Sequence, residues 1–358
     1  MTNPFCECDI DGPCPRYGRE MRGRFRQICQ GIDVDLGTAA MFRACWASEA
    51  KNSAPRIPLG ENPIPILLRI SQAPGDAVVT TAAIYSLHRA YPGKYLTAVE
   101  SPYPDVFAYN PDVSPARAGM SELYMHYSAV RDSNDRGIHF MQAWCEHLSA
   151  SLGVHVPLLT NRPHLYFLDA QPSIRDFWLV CAGGKDDFTA KRWGGYQQVV
   201  SSLKGRVRFV QVGSAEHDHP RLRDTEDLVG KTSLRALFNL TRRARGVLCG
   251  VSLLMHISAA LEKPAVVIAG GREPVQWNAY AKQHYVHTVG AMPCHSYRGR
   301  VGEACWRSRV RPLGDGASFD QDICERPDGD VVSCMSLIQP GEVVDLILRV
   351  DSAFILGV

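Results

Sequence analysis

Two apolar rhythms follow one another along the chain. Ile64 to Ile70 (IPILLRI) is a short run of branched apolar residues, the pattern of a strand covered on both faces. Pro74-Gly75-Asp76 ends that run. AVVTTAAIYSLHRAYPG then repeats apolar residues at helical spacing, and Pro92-Gly93 stops the helix. Tyr95 to Ser101 (YLTAVES) reads as the next strand. Strand, turn, helix and strand in this order predict an open α/β sheet. After a loop-rich stretch, GIHFMQAWCEHLSASLGV (137–154) reads as an amphipathic helix. Asn161-Arg162-Pro163 and Ala170-Gln171-Pro172 break the pattern nearby.

A second series starts there. FWLVCAGG predicts a strand, YQQVVSSLKG a helix and VRFVQVGS a strand. TSLRALFNLTRRA (helix), GVLCGVS (strand), LLMHISAALEK (helix) and PAVVIAGG (strand) continue it. Each strand ends in small residues before a helix. A boundary near residue 170 divides the chain into two doubly wound units, each placing a binding site at the C-terminal ends of its strands. SLIQPGEVVDLILRV reads as a closing helix with Pro340 at its start. Residues 1–60 are rich in Pro, Gly, Arg and Cys. They read as an extension with one helix near 35–50.

Composition adds limits. The chain has 358 residues, which fits about two domains. With 39 Lys and Arg against 37 Asp and Glu, it lacks the basic excess of a nucleic-acid binder. No uncharged apolar run reaches the ~18 residues of a membrane span. MTNPFCECDID has neither a basic n-region nor an apolar h-region, so a cytoplasmic protein is expected. Twelve cysteines are then unusual. Cys6, Cys8, Cys14 and Cys29 form one group; Cys294, Cys305, Cys324 and Cys334 form another. In a reducing compartment disulfides are rare, so two groups of four read as candidate tetrathiolate metal sites. Cys45, Cys145, Cys181 and Cys249 are scattered, as buried small hydrophobes are.

Three places could carry chemistry. Asp76 follows the first strand, where a carboxylate would sit at the mouth of a crevice; helix capping is the plainer role for an Asp there. CAGGKDDFTAKRW gathers Lys185, Thr189, Lys191 and Arg192 in a strand–helix turn, a setting that favours an anion such as a diphosphate. A solvated basic loop is the plainer reading, and no P-loop order is present. Ser252 starts a helix that carries His256; it offers either a second phosphate- or ribose-facing helix N-terminus or an ordinary serine cap. His217 and His219, in EHDHP, read as surface residues.

Taken in order, ILLRISQAPGDAVVTTAAIYSLHRAYPG, KRW, GKTSLRAL and MHISAALEKPAVVIAGG resemble glycosyltransferase family 9, the ADP-heptose heptosyltransferases. The resemblance spans about residues 64–350. It implies an α/β GT-B fold, two Rossmann-like domains facing a cleft, plus cysteine-rich metal-binding segments. The parts would be a 1–60 extension, a 61–170 acceptor domain, a 171–292 nucleotide-sugar domain, a 293–335 cysteine finger and a 336–358 closing helix. On the family pattern Asp76 is the general base, Lys191 meets the donor diphosphate and His256 belongs to the donor-side helix. Lys185 and Thr189 share the donor loop, and Ser252 opens the donor helix. The cysteine finger and GIHFMQAWCEHLSASLGVHVPL (137–158) are similar to the autotransporter heptosyltransferases, whose finger holds iron.

The implied activity is inverting transfer of a heptose or related sugar from a nucleotide-diphosphate donor, ADP-heptose foremost, to a hydroxyl on a glycan or protein. Structural iron or zinc is implied, with no catalytic metal, at a cytoplasmic or inner-membrane-peripheral location; the oligomeric state stays open. One departure stands out. Gly250-Val251-Ser252-Leu253 lacks the acid that the family often places before the donor helix. A non-catalytic nucleotide-sugar-binding protein and a cysteine–metal redox or interaction protein are the competing readings.

Overall fold

A computed structural model describes residues 60–127, 133, 138–170, 172–174, 176–185, 191–292, 296–297, 300–301, 327–328 and 331–356. The expected extension with its helix near 35–50, Thr189, and every cysteine of the two groups except Cys334 lie outside these residues.

The first sheet has three parallel strands, β1 (Ile64–Arg69), β2 (Tyr95–Glu100) and β3 (Ser121–Tyr124), in the order β2-β1-β3. Helix α1 (Pro74–Ala90) returns from β1 to β2. Its expected start shifts slightly, because Pro74 takes the first helical turn, where its fixed φ suits the helix and its missing N–H is no loss. α1 is buried on most of its faces. It packs against α3 (Phe140–Leu152) on one side and against a helix of the second sheet on another. A short α2 (Pro104–Phe107) follows β2. Gly153 closes α3 in the left-handed conformation with φ 64°.

The second sheet has six parallel strands: β4 (Trp178–Cys181), β5 (Phe209–Gln211), β6 (Thr225–Asp227), β7 (Gly246–Gly250), β8 (Ala265–Gly270) and β9 (Gln283–His287). Their order is β6-β5-β4-β7-β8-β9. The order reverses between β4 and β7, so the loops after those two strands diverge and leave a crevice. Helices α4 (Tyr196–Ser202), α5 (Leu234–Arg243), α6 (Leu253–Ala260) and the short α7 (Val275–Asn278) lie between the strands. α8 (Ser333–Ser336) and the closing α9 (Pro340–Leu356) follow. α9 packs on α4 and β8. Asp351 ties it to β4, accepting from the Trp178 indole at 3.0 Å and pairing with Arg245 at 2.8 Å.

Strands β3, β6 and β9 have no counterpart in the sequence reading. SELY and TED are largely polar and lie at sheet edges, so neither shows the apolar run of a strand covered on both faces.

The apolar core has two layers around the six-stranded sheet. One layer joins α4, α8 and α9 to the face carrying Trp178, Val180 and Leu248. The other runs without a break from β1 and α1 through α6 to the opposite face, at Leu179, Val247 and Cys249. The segment after α3 straps the two sheets together. His164 N–H donates to Thr81 in α1 at 2.8 Å, Arg162 donates to the Ala260 carbonyl at the end of α6 at 3.1 Å, and Arg235 donates to the Tyr166 carbonyl at 3.1 Å.

Candidate active site

The loop after β1 turns straight into α1. Ala73 is the N-cap, with no side-chain capping bond, so Asp76 is the third residue of the helix and not its cap. Its half-buried carboxyl is pushed up to about 7 by loss of water. Lys191, Lys185 and the backbone N–H groups of Ala73 and of Asp76 itself pull the other way. A carboxyl at N3 that answers the N-cap N–H is half of a capping box, so structural and chemical roles coexist in this residue.

The basic turn after β4 splits into three jobs. Lys185 stays in the loop and acts on Asp76. Lys191 reaches across to the next loop, donating to the Val251 carbonyl at 3.1 Å and pairing with Glu273 at 3.0 Å. Burial pulls the Lys191 ammonium well below the ordinary lysine range; Arg272 and Lys185 add to this, and Asp76 opposes it. Arg192 turns away to pair with Asp218 at 3.1 Å. Trp193 is buried, and its indole N–H donates to the Ile338 carbonyl at 3.1 Å, anchoring the turn to the segment between α8 and α9.

The start of α6 supplies the third part. Ser252 occupies the N-cap position without a side-chain capping bond. His256 is buried and bonded through Nδ1 to the Tyr280 hydroxyl at 2.8 Å. Burial, with His139 and Lys191 nearby, holds it down to about 3, so it is neutral and acts only as a hydrogen-bonding group. Gly75 lets α1 approach: a Cβ there would lie 3.1 Å from His256 Cδ2.

The structure therefore brings Asp76, Lys185, Lys191, Ser252 and His256 to one place at the C-terminal ends of strands from both sheets. Residues that the sequence reading passed over join them. Arg272 and Glu273 follow β8, in the stretch GGREP, and pair with one another. Tyr280 follows α7, and Tyr103 follows β2. Burial raises both phenols, and the Asp76 charge raises them further; Glu216, from the loop after β5, also acts on Tyr103. The signal available in sequence was position alone, since each follows a strand or lies one short turn beyond it.

His217 and His219 are half-buried, with stacked rings 6.2 Å apart. His219 lies against Gly213, where a Cβ would come within 2.2 Å of its ring. Among the described residues no three His, Cys, Asp or Glu side chains gather as a metal site. Cys334 is buried in the apolar layer with Val332, Met335 and Ile338. Cys145 and Cys249 lie in the other apolar layer, and burial pushes the Cys145 thiol up to about 12 and that of Cys181 up to about 11.

Comparison with known proteins fits this geometry. Residues 147–304 match the family model described as Glycosyltransferase family 9 (heptosyltransferase). The fold is similar to the iron-containing dodecameric glycosyltransferase TibC from enterotoxigenic E. coli H10407, at 17% identity over 83% of this chain and 78% of that one, with a TM-score of 0.57. TibC in complex with ADP-D-beta-D-heptose matches at 18% identity over the same shares, with a TM-score of 0.56. A glycosyl transferase family 9 protein from Veillonella parvula DSM 2008 matches at 13% identity over 82% of this chain and 98% of that one, with a TM-score of 0.54. At these identities the likeness is one of fold, an α/β architecture with parallel sheets. No curated protein matches the sequence. The family match and the shared architecture together support a glycosyltransferase.

Proposed function

We propose that the protein is an inverting glycosyltransferase that moves a heptose or related sugar from a nucleotide-diphosphate donor to a hydroxyl acceptor on a glycan or protein. One observation carries the reading: a carboxyl pushed up to about 7, from the helix after β1, lies within electrostatic reach of a lysine from the turn after β4. The two groups come from different sheets, as the acceptor and donor sides of such a reaction require.

In this reading Asp76, as carboxylate, takes the proton of the acceptor hydroxyl while its oxygen attacks the anomeric carbon. The bond from that carbon to the diphosphate breaks on the opposite face. Lys191 and Lys185 neutralise the charge that develops there, and the N–H groups at the start of α6 point the same way. His256 is neutral and contributes a hydrogen bond rather than a charge. TibC is seen with ADP-D-beta-D-heptose, which supports an ADP-linked heptose as donor. Two Rossmann-like domains, 61–170 and 171–292, would face one another across the site in a GT-B arrangement. The cysteine groups would hold structural iron or zinc, in a protein working in the cytoplasm or at the inner membrane face.

The test is a panel of nucleotide sugars with mass spectrometry of the products. An ADP-linked heptose should be consumed, and the sugar should appear as hydrolysed or transferred heptose. No turnover of any donor would overturn the reading. A second reading, a nucleotide-sugar-binding protein without turnover, is favoured by the missing acid at Gly250-Val251-Ser252-Leu253. It predicts binding of the same donors with no product.

A further inference from the structure

Lys191 needs help to stay charged. It touches Glu273 after β8, feels the charges of Arg272 after β8, Asp76 in α1 and Lys185 after β4, and lies within electrostatic reach of the neutral His256 in α6. Three cations face two carboxylates, and one of those carboxyls, Asp76, itself titrates at about 7. Glu273 is the other.

Both oxygens of the Glu273 carboxylate are engaged. Oε1 faces Lys191 Nζ at 3.0 Å and the Arg272 guanidinium; Oε2 accepts from Asn278 Nδ2 at 2.8 Å. The backbone carbonyl of Glu273 accepts from the Tyr285 hydroxyl at 3.4 Å. Asn278 is buried in α7, whose Trp277 indole donates to Ser133 at 2.8 Å. The carboxylate is therefore fixed from below. The Glu273 and Arg272 side chains are each 4% exposed, whereas Lys191 is 29% exposed. Of the three charges, only the lysine is partly open to solvent.

We propose that Glu273 is a positioning residue that keeps Lys191 aimed and protonated, so that the donor diphosphate meets an ammonium and not a neutral amine. This rests on the donor-site reading given above. Burial disfavours the charged amine, and a neighbouring guanidinium disfavours it further; a carboxylate in contact favours it. Without Glu273 the amine keeps its bond to the Val251 carbonyl but loses its contacting carboxylate while Arg272 stays nearby, and it gives up its proton at lower pH.

The experiment is calorimetric binding of ADP and of inorganic pyrophosphate from about pH 6 to about pH 10, just short of the ordinary lysine value. All variants carry Asp76→Asn, which removes that titration; ionisation of the ligands is common to all and cancels. With Glu273 present, affinity falls as pH rises and Lys191 loses its proton. With Glu273→Gln, the same fall should begin at least about one pH unit lower, the scale of a close opposite charge. Adding Lys191→Arg should abolish the difference, because guanidinium does not titrate in this range. Should the Gln variant fail to fold, Glu273→Asp should show a smaller shift in the same direction. Superimposable profiles, or an equal loss of affinity at every pH, would overturn the proposal in favour of a purely structural glutamate. If the parent protein binds neither ligand at any pH, the donor-site reading falls and this one falls with it.

Discussion

The Nδ1 atom of His256 lies 2.8 Å from the hydroxyl of Tyr280, and both side chains are buried. The pair joins α6 to the segment after α7. Removing the hydroxyl leaves a buried imidazole nitrogen without this partner, a loss of about 1–3 kcal/mol. Tyr280→Phe should therefore lower the free energy of unfolding by that amount in a denaturant titration. A value within error of wild type would mean that water or another group replaces the phenol.

Asp76 links activity to stability with opposite signs. In the proposed role Asp76 works as a carboxylate, and its carboxyl is raised from 3.8 to about 7, so the rate should climb as pH rises through about 7. Asp76→Asn should lose ~10²–10⁴-fold in turnover, the usual worth of a general base, with ADP affinity at least retained. In the unfolded chain the same carboxyl ionises near 3.8. Between the two values the folded state holds the proton more tightly, so rising pH costs it stability, and the whole cost is present above about 7. Above pH 7 the Asn variant should thus be the more stable protein, and at about pH 4 the advantage should vanish. Equal stability at both pH values would mean that the carboxyl is hydrated.

Buried histidines give the reverse slope. Burial lowers His88 and His164, holds His139 down to about 4 and His256 down to about 3. As pH drops below 6.5 the unfolded chain binds protons at these sites and the folded chain does not, so stability is lost through the acid range. Unfolding followed by circular dichroism should show this loss. A double change of His139 and His256 to Gln should flatten it, and an unchanged slope would count against the burial of these rings.

Much of this was readable in the sequence, and the limits were physical. β1, β2, β4, β7 and β8 are apolar runs followed by small residues, so their existence and the parallel architecture could be read from periodicity. Asp76, Lys191 and His256 each lie in the loop or helix that directly follows such a run. Glu273 and Tyr280 do not stand out, because their importance comes from three-dimensional pairing with Lys191 and His256, which no spacing encodes. Arg192 misled in the other direction: it is next to Lys191 in sequence, yet it points to Asp218.

Trp193 anchors the turn that carries Lys191. Trp193→Phe keeps an aromatic ring but loses the bond to the Ile338 carbonyl, at a cost of about 1 kcal/mol in stability. The larger effect should be on donor KM, which should rise while kcat changes less. An unchanged KM would show that the turn is held by other contacts.

The cysteine groups make a chemical prediction. If Cys294, Cys305, Cys324 and Cys334 hold a structural metal, protein purified without chelator should contain at least one tightly bound iron or zinc per chain. Changing two of them to serine should release it and expose the 293–335 segment to protease. Full metal content in that variant would move the site to Cys6, Cys8, Cys14 and Cys29.

At Gly75 the backbone of α1 lies so close to the His256 ring that a single methyl group would come within 3.1 Å of Cδ2. At this contact no side chain separates the helix bearing Asp76 from the helix bearing His256. If these helices carry the acceptor and donor sides as proposed, the distance between those sides is gauged by one bare Cα. In that arrangement, room for a longer acceptor would come from the loops around this contact.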